Sequence, residues 1–372
     1  MINNPYNIQT IRWSITGRCN LNCKHCGMSA NSSRYHDLSF DDCMKVIDRF
    51  VQADIPEVTI TGGEPLIRKD FWQIIDALQS HGIAVPKLFT NGLLVNDGFL
   101  QECRRRKLNW AFHISFDGVD CHDWMRGLRG IEASTIDAIR RIKAAGFEVN
   151  VKTTLNTDSL GHLIDTYRLL KDLGVGYWKV SQALPKGNWE GHAEDKSVQL
   201  EALYAAYLDL IRAYRTDGMP LTLHIAGFFT NFKGASEWRS EYENFNGSQD
   251  ALNVPLCLKC WGRLYLSVDA KPLPCMALCD ACLEDSTPSL LDAPLAECLA
   301  SSEVFSLMNL RLKQIHDRNP DCASCRFNLR CGPCRALALA ESGSLFAPDQ
   351  GACTFWKQDY PKRIKEVIEE VA

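Results

Sequence analysis

Several features are scarce in this 372-residue chain, and each scarcity closes off a class of protein. No apolar run approaches the roughly 20 residues that a bilayer-spanning helix requires. Met1 to Thr10 is polar and lacks the basic start and apolar stretch of a signal peptide, so the chain is expected to stay in the cytoplasm. There is little excess charge: the formal net charge is −4 and the pI lies near 6.2. That balance gives no electrostatic ground for nucleic acid or a membrane as a partner. No low-complexity tract or short-period repeat interrupts the sequence. What remains is an ordinary soluble composition, 46% hydrophobic and 23% charged, long enough for two domains and a sizeable core.

Cysteine is the opposite case. There are 17, many in tight Cys-x2-Cys groups. In a reducing cytoplasm such groups read as metal ligands rather than disulfides.

From Ile11 to Ser181, short apolar runs alternate with helical patterns. Strands are predicted at Ile11–Thr16, Val58–Thr61, Lys87–Thr90, Ala111–Ser115, Val149–Thr154 and Tyr177–Ser181. Between the first two, Phe40, Cys43, Met44, Ile47, Phe50 and Val51 recur at helical spacing behind Ser39, a natural N-cap. Six βα units argue for an α/β fold with a parallel sheet, either an open barrel or a doubly wound sheet. In both, functional groups gather at the C-terminal ends of the strands. A long amphipathic helix is predicted from about 197 to 215. Residues 221–256 read as a connecting segment, 257–355 as a separate metal-organised domain with little strand–helix alternation, and 356–372 as one terminal helix interrupted early by Pro361. Cys43, Cys103, Cys121 and Cys298 read as small apolar core residues.

Directly after the first strand stands Cys19-Asn-Leu-Asn-Cys23-Lys-His-Cys26. Three thiolates at this spacing on one loop can hold three irons of a [4Fe–4S] cube and leave the fourth iron open. An open position is what a cofactor- or substrate-binding metal site needs, as in catalytic zinc. Zinc itself is the competing reading, although it usually takes paired arms from two places. After the second strand comes Thr61-Gly62-Gly63-Glu64-Pro65. Thr90-Asn91-Gly92 ends the third and Ser115-Phe116-Asp117-Gly118 the fourth. Lys152 in the fifth strand and Gln182 after the sixth lie at the same rim. The glycines let backbone approach a ligand, and Glu64 can accept from an ammonium group. For Lys152 and Gln182, a buried stem or a capping amide is an equal reading.

Together these motifs resemble the radical S-adenosylmethionine (SAM) superfamily, with His25 in the aromatic place before the last cysteine. The resemblance implies a partial (β/α)6 TIM-like barrel over 10–220 and a SAM-binding [4Fe–4S] cluster on Cys19, Cys23 and Cys26. It implies reductive cleavage of SAM to a 5′-deoxyadenosyl radical that abstracts hydrogen from a substrate. His25, Gly62, Gly63, Glu64, Asn91, Ser115, Asp117, Lys152 and Gln182 are the cofactor contacts it points to. No catalytic acid or base is assigned.

The later cysteines, Cys257-x2-Cys260-x14-Cys275, Cys322-x2-Cys325-x5-Cys331-x2-Cys334 and Cys353, resemble the SPASM extension of that superfamily. The resemblance implies two auxiliary [4Fe–4S] clusters. Cys260, Cys275, Cys334 and Cys257 would hold the first, and Cys322, Cys325, Cys331 and Cys353 the second. The spacing from Cys331 to Cys334 is one residue shorter than the family's, and Cys279 or Cys282 are alternative ligands. Zinc on the Cys-x2-Cys pairs is the competing reading here too.

Such enzymes modify peptides or, in a smaller set, small molecules. The cysteine count favours oxidative modification or cross-linking of a ribosomally made peptide. An external electron donor such as flavodoxin or ferredoxin is expected, with a separate leader-peptide-binding protein as a further partner. The alternatives are a small-molecule oxidoreductase in cofactor or sugar biosynthesis, and protein oxidation of the anaerobic sulfatase maturase kind. The latter has an aspartate where Met276 stands here. A non-catalytic electron carrier or zinc module is the remaining class. The aromatics Phe228, Phe229, Phe232, Trp238, Tyr242 and Phe245 read as core or as a substrate groove, core being favoured.

Overall fold

The computed structural model describes residues 4–257, 261–278, 281–301 and 309–371. Six strands run β1 (Thr10–Ser14), β2 (Glu57–Thr61), β3 (Lys87–Thr90), β4 (Ala111–Ser115), β5 (Glu148–Leu155) and β6 (Tyr177–Gln182). All neighbours among them are parallel. Strand order rises steadily from β1 to β6. With right-handed crossovers, that order keeps every helix on one face and curls the sheet around the other. A doubly wound sheet reverses its order at a switch point, and no such reversal occurs in this run. The architecture is α/β, a partial barrel.

The helices follow from periodicity. α1 (Phe40–Gln52) is capped by Ser39, whose Oγ accepts from the Asp42 amide at 3.1 Å, and it buries Cys43, Val46, Ile47 and Phe50. Phe50 meets Trp13 of β1 edge-on, ring centres 5.5 Å apart. Burial of such a side chain contributes about 2 kcal/mol, and Phe50→Ala should cost about 3–5 kcal/mol with its cavity. The outward face of each strand is apolar: Ile11 and Trp13, Phe112 and Ile114, Val149 and Val151 are fully buried beneath the helices. The inward face alternates with it and carries Arg12, Phe89, His113, Lys152 and Lys179, all part-exposed. The barrel interior is therefore polar.

The sheet runs past both expected boundaries. β7 (Thr222–Ile225) adds parallel to β6, followed by antiparallel β8 (Phe229–Asn231) and β9 (Trp238–Arg239), all within 221–256. β10 (Arg263–Leu266) adds parallel to β1 on the other side, with β11 (Pro272–Leu273) antiparallel to it, both within 257–355. These runs are two to four residues long, too short for alternation to stand out. The predicted long helix spans Leu200–Thr216. The C-terminus holds two helices, Gln350–Lys357 and Tyr360–Glu370, broken at Asp359, which takes a left-handed φ of 54°. Pro361 falls in the first turn of the second helix, where its missing N–H costs nothing. Phe228, Phe229, Tyr242 and Phe245 are core, as are Cys43, Cys103, Cys121 and Cys298, whereas Phe232 is exposed.

Candidate active site

A cavity of about 330 Å³ opens at the C-terminal ends of the strands. Cys19, Cys23 and Cys26 line it from the loop after β1. So do His25, Gly62, Gly63, Asn91, Ser115, Lys152 and Gln182. Among the residues singled out from sequence, Glu64 and Asp117 do not line it; both are fully buried behind it.

The Glu64 carboxylate is already engaged. It accepts from Thr90 Oγ1 at 2.8 Å, the Asn91 amide at 2.8 Å and the Leu66 amide at 3.2 Å. Burial nevertheless pushes its carboxyl up to about 7. Its work is to fix the turn after β3, and Asn91 Nδ2 then reaches Asn20 Oδ1 of the cysteine loop at 2.7 Å. Asp117 accepts from the Thr154 amide at 3.1 Å and pairs with Arg126, Nε to Oδ2 2.7 Å. His25 Nε2 lies 3.7 Å from its other oxygen. The guanidinium of Arg126 holds Asp117 well below the usual carboxylate range against the cost of burial.

The cysteine loop is held by backbone contacts. Gly63 donates to Thr16 O at 2.8 Å and Glu64 N to Arg18 O at 2.9 Å. A Cβ on Gly63 would stand 2.2 Å from Arg18 O. Glycine is thus required for contact between two loops as much as for a ligand. Asn31 Oδ1 accepts from the Cys19 amide at 2.7 Å, and Asn188 Nδ2 donates to Cys23 O at 3.0 Å. Arg126 reaches Cys23 Sγ at 3.5 Å. Asn31, Arg126 and Asn188 were missed from sequence, because no motif spacing links them to the cysteines they approach in space; Arg12, which lines the cavity, was missed as well.

Burial pushes the Cys19 thiol up to about 12 and raises that of Cys23, with Arg126 opposing the rise. Burial draws His25 down to about 4, so its imidazole is neutral at pH 7. Its Nδ1 is buried with no hydrogen-bond partner among the described residues. Among the described residues, no group of three or more His, Cys, Asp and Glu side chains is set to hold a metal ion. A [4Fe–4S] cube draws one thiolate per iron, so its ligands need not converge on a point. Three thiols facing one cavity, beside an unsatisfied ring nitrogen, fit a cluster carrying a polar cofactor.

A second cavity, about 390 Å³, is lined by Cys322, Cys325, Cys331 and Cys353, the four residues that the SPASM resemblance groups. Asp349 lies in the same wall; it caps the helix after it and accepts from the Cys334 amide at 2.7 Å. Cys334 is not part of that wall and lies within electrostatic reach of Asp349, Cys275 and Cys257. Cys260 and Cys279 lie outside the described residues, as does the Cys282 side chain.

Residues 13–174 match the Radical SAM superfamily. An AdoMet-dependent heme synthase of Oleidesulfovibrio alaskensis is 26% identical over 94% of this chain and 88% of its own. The mycofactocin maturase MftC of Mycobacterium ulcerans is 29% identical over 52% of this chain and 53% of its own. The fold matches Streptococcus suis SuiB, solved with S-adenosylmethionine, at a TM-score of 0.70 and 15% identity, covering 95% of this chain and 78% of SuiB. SuiB has also been solved bound to its precursor peptide SuiA. Among the described residues no helix is long and apolar enough to cross a membrane. Residues 13–174, with their thiol-lined cavity at the strand ends of a partial barrel, are a radical SAM domain.

Proposed function

We propose that the chain is a radical SAM oxidoreductase. Cys19, Cys23 and Cys26 hold three irons of a [4Fe–4S] cluster, and SAM occupies the cavity beside it. The observation that carries this reading is the convergence of those thiols with Gly62, Gly63, Asn91 and Ser115 on one cavity. When bound, SAM and the reduced cluster supply a radical that takes hydrogen from the substrate. Gly62 and Gly63 present backbone to the cofactor; Asn91, Ser115, Lys152 and Gln182 offer polar contacts; His25 offers its ring. Glu64 and Asp117 position these groups from behind.

Cys257, Cys260, Cys275 and Cys334 hold a first auxiliary cluster, and Cys322, Cys325, Cys331 and Cys353 a second. Met276 and Ala277, next to Cys275, line the same cavity as Cys19. A cluster held by Cys275 and its partners would supply an electron acceptor next to this cavity, as a net two-electron oxidation needs. A flavodoxin or ferredoxin supplies the reducing electron.

The substrate reading we favour is a small molecule of the tetrapyrrole class, supported by the heme synthase relative, which matches over nearly the full length of both chains. Oxidative modification of a ribosomally made peptide stands second, supported by the half-length match to a mycofactocin maturase. Reconstituted, anaerobically reduced protein should convert SAM to 5′-deoxyadenosine. No cleavage by a cluster-replete protein would overturn the proposal.

A further inference from the structure

The cavity wall is one-sided in charge. Arg12, Arg126, Lys152 and Lys186 line it, and no aspartate or glutamate does among the described residues. Arg126 is paired with Asp117, and Lys186 Nζ donates to Ala277 O at 3.1 Å. Arg12 and Lys152 differ. They come from β1 and β5, and among the described residues neither has a hydrogen bond or an ion pair from its side chain. Both sit on the ring of Phe89, with the Arg12 guanidinium carbon 4.6 Å and Lys152 Nζ 4.2 Å from its centre. His113 stacks on the same ring at 4.4 Å. Burial holds His113 down at about 2, so it adds no charge.

Burial and the neighbouring Arg12 charge draw the Lys152 ammonium well below the ordinary lysine range, which is the cost of setting two cationic groups on one half-buried aromatic. An aromatic face offsets only part of that cost. An anion between them would offset the rest, and the fork of an arginine suits a carboxylate. SAM brings a single carboxylate. Even where Lys152 meets the cofactor, Arg12 is left to receive another.

We propose that Arg12, with Lys152 beside it, is the subsite for a carboxylate on the substrate. This deepens the proposed function and rests on it. Arg12 lines the same cavity as Cys19, Cys23 and Cys26 on one side and Met276, next to Cys275, on the other. The bound acid is therefore held between the SAM site and the first auxiliary cluster.

The test is equilibrium binding to the reconstituted protein saturated with SAM. The probes are protoporphyrin IX, a dicarboxylic acid, against its dimethyl ester, and a blocked hexapeptide carrying one glutamate against its glutamine counterpart. The free acid of one pair should bind tighter than its neutral partner, and which pair does so identifies the source of the carboxylate. Arg12→Met should weaken that acid roughly thirtyfold or more, with Arg12→Lys recovering part of the loss. Iron content and SAM affinity of Arg12→Met should stay within about twofold of wild type, as for a residue outside the cofactor shell. The proposal is overturned if neither acid outbinds its neutral partner or if Arg12→Met leaves acid binding unchanged. It is equally overturned if Arg12→Met loses iron or SAM instead, since Arg12 would then serve a cluster or the cofactor. Reductive SAM cleavage by the wild-type protein tests the parent proposal separately.

Discussion

Arg126 Nε stands 2.7 Å from Asp117 Oδ2, and the same guanidinium reaches the sulfur of Cys23 at 3.5 Å. Both side chains are nearly inaccessible to water. One buried ion pair thus ties the end of β4 to the loop that carries the candidate cluster ligands. Removing one partner of such a pair strands the other charge, which costs about 3–5 kcal/mol. Arg126→Met should lower the melting temperature and the iron bound per chain together. Arg126→Lys should recover stability in part. Iron retention by Arg126→Met at wild-type stability would refute this role.

Gly63 makes a sharper local prediction. A Cβ there would meet Arg18 O at 2.2 Å and Cys19 Cβ at 3.2 Å. Gly63→Ala must move the cysteine loop, since backbone cannot yield as a flexible side chain does. Circular dichroism should show the fold intact, while iron assays show loss at the first cluster. An unchanged iron content would mean that the two loops are less tightly apposed than described.

Glu64 should leave a signature in the pH dependence of stability. Burial raises its carboxyl in the folded state to about 7 from an ordinary value of 4.5. Between those values the folded chain binds more protons than the unfolded one, so stability falls as pH rises. The drop should approach about 3 kcal/mol between pH 4.5 and 7.5. Urea unfolding of wild type against Glu64→Gln checks it: the variant should lack that segment of slope, whatever its absolute stability. Equal slopes in the two proteins would exclude Glu64 as the titrating group.

The C-terminal thiols separate into groups that iron counting can resolve. Cys353→Ala should remove about four irons per chain if the second cavity holds one cube. Cys43→Ala, in the core beneath Arg68, should remove none and cost only packing energy. Loss of zinc rather than iron from Cys353→Ala would favour the competing reading.

How much of this was legible in sequence can be judged residue by residue. The six strands and the three thiols after β1 stood out because period-2 alternation and Cys-x3-Cys-x2-Cys spacing are local signals. β7 and β10 did not, since each is four residues long and earns its place only by hydrogen bonding to a distant neighbour. Glu64 and Asp117 were read as facing a ligand because they sit inside motifs. In space they turn away from the cavity, toward Thr90 and Arg126. Arg12 was invisible for the opposite reason. It looks like one polar position in a strand, and its meaning comes from Lys152 and Phe89, brought to it by the curl of the sheet.

The central claim is that Cys19, Cys23 and Cys26 hold a cluster to which SAM binds directly. Electron paramagnetic resonance of the reduced protein, recorded with and without SAM, tests it most directly. The account predicts that SAM shifts the cluster signal in wild type. It also predicts that a Cys19, Cys23 and Cys26→Ala variant shows no shift while keeping the auxiliary signals. A wild-type spectrum indifferent to SAM, or a shift that survives in the triple variant, would contradict it.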